Sequence, residues 1–205
     1  MIRIQMHELS AVSGKYYFSG TPFTGVSYAS DEERGIRSFQ IENGSVLGTY
    51  RPTCAGGSSG YAQIDVTGLL ADEVNTQHPL DFAGGHFTGI GYEFTNGRCN
   101  HEMLFIDGAV RCEMWWRPSG MLIACSRSGE FSEQYHWLAN GQMDSAAVNT
   151  GALRILFKFH DSGELRSLLM EGDVRSRMPE LARLEHFPVK SVDDLRFCEV
   201  DQVSF

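Results

Sequence analysis

Three groupings of residues have types and spacings that invite a chemical reading. Gly56-Gly57-Ser58-Ser59-Gly60 matches the Gly-x-Ser-x-Gly pattern of a nucleophile elbow. An elbow needs a buried strand before it and a helix directly after it. Here Tyr50-Arg51-Pro52-Thr53-Cys54-Ala55 precedes and the strand-like Tyr61 to Val66 follows, so the segment reads as a flexible loop. Cys99 and His101, taken with Cys112, Cys125 and His136, contain the residue types of a metal site. Alternation puts Cys99 and His101 on one face of a strand, but no second pair has ligand spacing, and cysteine often packs as a small hydrophobe. Asn43-Gly44-Ser45 is formally a glycosylation sequon and reads more simply as a turn. There is no phosphate loop, dinucleotide fingerprint or Cys-His nucleophile arrangement. The expectation is a non-enzyme with no metal and no cofactor.

Composition narrows the field further. The 205 residues are long enough to bury a core as one domain or two small ones. The five cysteines are odd in number and lack Cys-x-x-Cys spacing, which fits reduced thiols and a cytoplasmic location. The amino terminus alternates apolar and polar residues rather than forming a signal peptide, and there is no run of roughly eighteen apolar residues to span a membrane. A formal net charge of −9 disfavours nucleic acid and suits a basic partner, with solubility as the plainer explanation.

The elements that must position any functional residue are strands. Period-2 alternation dominates, punctuated by Asn43-Gly44, Asn96-Gly97, Asp107-Gly108 and Asn140-Gly141, which read as hairpin turns. Helical spacing appears only late. Met178 to Phe187 has an early proline and apolar residues at 181, 184 and 187, predicting a short helix. A further turn is expected from Leu69 to Val74, another over Ser191 to Leu195, and a last strand at 197–203. The tail is expected to close the sheet's open edge.

The chain also repeats itself. Phe18-Ser-Gly20-Thr-Pro-Phe23-Thr24-Gly25-Val26-Ser-Tyr28 returns 64 positions later as Phe82-Ala-Gly84-Gly-His-Phe87-Thr88-Gly89-Ile90-Gly-Tyr92. The same offset carries Gly44 and Val46 onto Gly108 and Val110, and Arg51-Pro52 is answered by Arg117-Pro118 after a two-residue slip. A shorter period follows: Trp116 to Leu122, Trp137 to Met143 and Phe159 to Leu165 each have an aromatic, three residues, a glycine, one residue and an aliphatic or sulfur side chain. Each unit is one hairpin too small to bury its own face, so neighbours must stack. The expected fold is a mainly β, meandering antiparallel sheet over 1–172, with related halves at about 14–52 and 78–172, and a helical or strand cap over 173–205.

These motifs resemble the variant MORN repeats of bacterial antitoxins and immunity proteins. The resemblance implies a repeat protein that neutralises a cognate toxin by direct contact. A non-catalytic interaction scaffold is the alternative, since MORN-like repeats also serve that role. Stacking the late hairpins in register places Met114, Trp116, Tyr135, Trp137, Phe157 and Phe159 on the buried face. The opposite face presents Trp115, His136 and Lys158 in one row and Glu113, Gln134 and Leu156 in the next. Trp115 reads either as an exposed binding anchor or as a residue covered by another layer such as the carboxy-terminal helix. Trp115, His136, Lys158, Glu113 and Gln134 are the candidate partner-binding residues, for a toxin with a basic surface.

Overall fold

The computed structural model describes residues 1–56, 60–69, 80–184 and 187. The chain is mainly β, and its contacts divide it into two compact units, residues 1–122 and 123–205. Residues 57–59 of the glycine-serine loop, the turn expected beyond Leu69, and everything expected of 191–203 lie outside the described residues.

The strands of the first unit are β1 (Ile2–Gln5), β2 (Ser10–Val12), β3 (Lys15–Phe18), β4 (Thr21–Pro22), β5 (Gly25–Ser30), β6 (Ile36–Glu42) and β7 (Ser45–Thr49). They are followed by β8 (Ala62–Asp65), β9 (Asp81–Phe82), β10 (Gly85–His86), β11 (Gly89–Thr95), β12 (Arg98–Ile106) and β13 (Ala109–Trp116). The duplication is structural as well as sequential. In the first copy β1 lies parallel to β5, which pairs antiparallel with β6, and β6 with β7. In the second, β8 lies parallel to β11, which pairs with β12, and β12 with β13.

The repeated Phe-Thr-Gly motif is explained residue by residue. Phe23 and Phe87 are buried, each in its own apolar cluster, the first with Ile4 and Ile41 and the second with Ile64, Val66, Met103 and Phe105. Thr24 Oγ1 accepts from the Asn43 amide at 2.9 Å, and Thr88 Oγ1 accepts from the Asp107 amide at the same distance. The threonine therefore pins the hairpin turn of its own copy. Asn43 and Asp107 both take positive φ, as does the glycine after each, which is the backbone a primed two-residue turn requires. Gly25 and Gly89 sit where the chain passes against a neighbouring strand: a Cβ would collide with the Ile2 carbonyl and the Phe23 ring in one copy, and with the Ala62 carbonyl and the Phe87 ring in the other.

The two copies are joined into a closed ring. β1 meets the start of β12 at Ile4 and Arg98, and β8 meets the start of β6 at Ile64 and Gly35. Matching hydrogen bonds reinforce the seams, from the Gln5 amide to the Gly97 carbonyl and from the Asp65 amide to the Arg34 carbonyl, both 2.8 Å. Hydrogen bonding thus runs β1–β5–β6–β8–β11–β12 and back to β1.

The second unit is a meander of β14 (Leu122–Ser128), β15 (Ser132–Trp137), β16 (Met143–Asn149), β17 (Leu153–Phe159) and β18 (Leu165–Gly172), followed by the helix α1 (Val174–Leu181). Its repeat signature also has a physical basis. Leu138 and His160, each following the aromatic, donate to the carbonyl four residues on, at 2.8 Å in both, and Gly141 and Gly163 return a bond to Leu138 and His160. Arg117, Met121 and Gly120 make the same turn in the first unit. The glycines have φ of +80°, +86° and +86°, the left-handed backbone at which a side chain would be strained. The turn ends in a register shift at His136/Trp137 and at Lys158/Phe159.

Those shifts correct one expectation. Met114, Tyr135 and Phe157 are buried, but Trp116, Trp137 and Phe159 are only half-buried, because Trp137 and Phe159 stand at the bulged strand ends rather than in the sheet's centre. The helix also begins and ends earlier than the 178–187 expected. Asp173 caps it by accepting from the Ser176 amide, and Pro179 falls inside it rather than at its start. The cap outweighs the proline as the signal for where the helix begins. Phe187, beyond the helix, packs edge-on against Phe157 at 5.1 Å.

Gly25→Ala and Gly89→Ala should each destabilise the protein by about 1–3 kcal/mol through overpacking at the equivalent close approach. Urea unfolding midpoints of the two variants should fall by similar amounts, and an unchanged midpoint in either would separate the two copies.

Candidate functional site

Two constellations in the first unit carry the strongest side-chain chemistry. The first fills the ring. Arg3 on β1, 6% exposed, and Glu102 on β12, fully buried, lie 3.3 Å apart. The Arg3 guanidinium also donates to the Tyr28 and Tyr50 hydroxyls, both at 2.9 Å, and lies 3.8 Å over the Trp116 ring. Glu102 accepts further from the Tyr50 hydroxyl at 3.3 Å and the Cys54 amide at 3.0 Å.

The duplication places an uncharged counterpart beside this centre. Gln63 on β8 stands where Arg3 stands on β1, and its Oε1 accepts from Ser38 at 2.7 Å and from Tyr92 at 3.1 Å. Tyr92 is the repeat of Tyr28, and Glu102 is the repeat of Ser38. Exchanging the copies maps the Arg3, Tyr28, Glu102 set onto the Gln63, Tyr92, Ser38 set, the relation of an approximate two-fold axis. The Tyr28 and Tyr92 rings, 4.8 Å apart and tilted by 56°, join the two sets.

Electrostatics favour the charged form of Arg3 and the protonated forms of the phenols and the Cys54 thiol. Burial works against the Arg3 charge, but Tyr28, Tyr50 and Glu102 outweigh it and hold the guanidinium above its ordinary value. Burial pushes the Tyr28, Tyr50 and Tyr92 phenols and the Cys54 thiol up. The raised phenols and thiol are disfavoured in their ionised forms. Sequence reasoning missed it, although the repeated Tyr28 and Tyr92 marked two of its members.

The second constellation lies at the surface. Glu93 on β11, His101 on β12 and Trp115 on β13 stand directly opposite one another across three strands. Trp115 is half-buried, and one face of its indole lies against the His101 ring at 4.6 Å and 19°. The His101 nitrogens face carboxylates, Nδ1 at 3.4 Å from Glu93 and Nε2 at 3.9 Å from Glu113. Burial holds His101 below its ordinary value against the opposing pull of Glu93, and burial raises Glu113.

The structure thus brings together Trp115 and Glu113 of the sequence candidates and adds His101 and Glu93. His136, Lys158 and Gln134 lie in the second unit, all exposed. His136 and Lys158 flank Ser145 in one transverse row, and Gln134 pairs with Ala147 in the next. The cysteines and histidines weighed above as metal-site residue types have other surroundings. The Cys99 thiol donates to the His101 carbonyl at 3.4 Å, Cys112 and Cys125 are buried, and among the described residues no set of three such side chains is placed to hold a metal ion.

Comparisons with known proteins add no family. No protein-family model matches the chain, and no curated protein matches it. A solved structure titled as the GtfA/B complex bound to UDP and GlcNAc is similar over 58% of this chain and 33% of that one, at 14% identity and a TM-score of 0.28. That similarity carries no functional argument. No described helix is long and apolar enough to cross a membrane.

Breaking the ring's ion pair should be costly in one direction only. Glu102→Ala should destabilise by about 3–5 kcal/mol, because it leaves Arg3 charged and buried, whereas Arg3→Met combined with Glu102→Leu should recover much of that loss. Denaturant titrations of the single and double variants would check this, and equal losses in both would refute it.

Proposed function

We propose that the chain is an antitoxin or immunity protein, a cytoplasmic binding protein that neutralises a cognate bacterial toxin by direct contact. The observation that carries this reading is the Trp115 patch, an aromatic ring at the surface flanked by Glu93 and Glu113. An aromatic anchor ringed by charge is the composition of a binding hot spot. Carboxylates beside an aromatic face suit a lysine or arginine, by charge and by cation–π attraction, so the partner is read as basic. The MORN-like hairpin repeats support the same reading by resemblance. The strongest buried charges are consumed in packing at Arg3 and Glu102, which favours binding over catalysis. His136, Lys158 and Gln134 are proposed as contact residues on the second unit.

The test is binding kinetics with the product of the gene adjacent on the chromosome, together with rescue of growth on co-expression. Trp115→Ala should keep the β-type circular dichroism and weaken binding by about 2 kcal/mol or more, chiefly through faster dissociation. Higher salt should mainly slow association. Binding to no neighbouring product would favour an interaction scaffold instead.

A further inference from the structure

We propose that His101 is a protonation-driven latch beneath Trp115, which holds Glu93 and leaves Glu113 available to a partner when neutral, and draws both carboxylates to itself when charged. What the latch gates rests on the binding reading above; the latch itself rests on geometry alone. A neutral imidazole carries one N–H. Both nitrogens of His101 face a carboxylate, so in either tautomer one carboxylate meets a bare lone pair. The nitrogen without a hydrogen bond is Nε2, which is buried too deeply for solvent to supply a donor. One added proton turns both contacts into charge-assisted pairs.

The surroundings leave few other groups able to take part. β11 contributes Glu93, β13 contributes Glu113 and the Trp115 ring, and β12 contributes Cys99, whose thiol burial pushes up to about 12 so that it stays uncharged. Glu113 is the freer of the two partners in the neutral state, because its contact with Nε2 is 3.9 Å against 3.4 Å for Glu93 and Nδ1. Burial opposes the imidazolium and the two carboxylates favour it. The latch therefore closes below the ordinary imidazole range. The sign follows for stability: the His101 contribution is complete above that range and is lost as pH falls through the depressed value. Burial of Glu113 acts in the opposite sense, since its raised value favours the folded state as pH falls. Closing the latch also places a cation against one face of Trp115, lowers the patch's net negative charge by one and ties up both carboxylates, so a basic partner should associate more slowly in mild acid.

The experiment needs no partner. Tryptophan emission of the full chain is followed against pH, and the Trp115 component is isolated by subtracting the same titration of Trp115→Phe. The expected result is a loss of Trp115 emission with a single midpoint below the ordinary imidazole range. His101→Gln should abolish the transition, and Glu113→Gln, which changes a half-exposed group and keeps its shape, should move the midpoint to lower pH. A flat Trp115 component, a transition that survives in His101→Gln, or a midpoint unmoved in Glu113→Gln would overturn the proposal. A toxin-like neighbour that fails to bind would remove the binding reading while leaving this transition in place.

Discussion

The guanidinium of Arg3 and the carboxylate of Glu102 face each other across 3.3 Å with almost no exposure to water, and their neighbours are arranged so that neither charge stands alone. Burying an ion costs several kcal/mol after relaxation, and that cost is offset only when geometry and further hydrogen bonds are good. Tyr28, Tyr50, the Cys54 amide and the Trp116 ring supply those contacts from four separate segments. The pair therefore fixes more than its own position. β1 must sit between β5 and β12, the chain after β7 must bring Tyr50 and Cys54 to the pair, and Trp116 must lie against Arg3. A one-residue slip of β1 would turn Arg3 out of the ring and carry Ile2 and Ile4 away from the apolar cluster on the other side.

The internal duplication shows how such a centre can be accommodated. The two apolar clusters under the Phe-Thr-Gly hairpins remain close equivalents, with Phe18 answered by Phe82, Phe23 by Phe87 and Ile41 by Phe105. The interior positions have diverged instead, one side holding an ion pair and the other a neutral glutamine, serine and tyrosine set. Two buried ion pairs across one axis would place four charges in a space lined by the packed Tyr28 and Tyr92 rings. One pair beside a neutral network keeps the specificity of a polar interior at about half the desolvation cost. The outer faces have diverged too. His101 and Trp115 occupy a surface row on β12 and β13, while β7, the counterpart of β13, is exposed throughout and carries Val46 and Leu47.

Much of the local structure was legible in the sequence because its causes are local. Asn43-Gly44, Asn96-Gly97 and Asp107-Gly108 are turns with positive φ at both residues, and the three aromatic-to-glycine hairpins make the same pair of hydrogen bonds. Alternation placed Trp115 opposite the buried Met114, and His136 and Lys158 opposite the buried Tyr135 and Phe157. The illegible part is long-range. Nothing near Arg3 or Glu102 marks them as partners, since a charge within an alternating strand ordinarily faces solvent. Gln63 escaped the repeat comparison because β8 precedes its motif by four residues more than β1 does, and the parallel pairing of β1 with β5 has no short-range signal. For Trp115, spacing indicated the face, but the stack on His101 depends on the cross-strand register, which composition cannot fix.

The seam between β1 and β12 also sets the order in which this ring can be made. Arg3 is synthesised among the first residues, yet Glu102 lies 99 positions further along, so the first strand must wait for nearly half the chain before its charge has a partner. Contacts this distant in sequence slow folding, because the entropy of closing the loop is lost before the contact returns anything. Until then β1 stays hydrated or pairs only provisionally with β5, and the edge of β6 that receives β8 stays open. A nascent chain halted before β12 would hold an apolar cluster still lacking a fixed Ile4 beside an unclosed ring, the kind of species that engages chaperones or joins a second copy of itself.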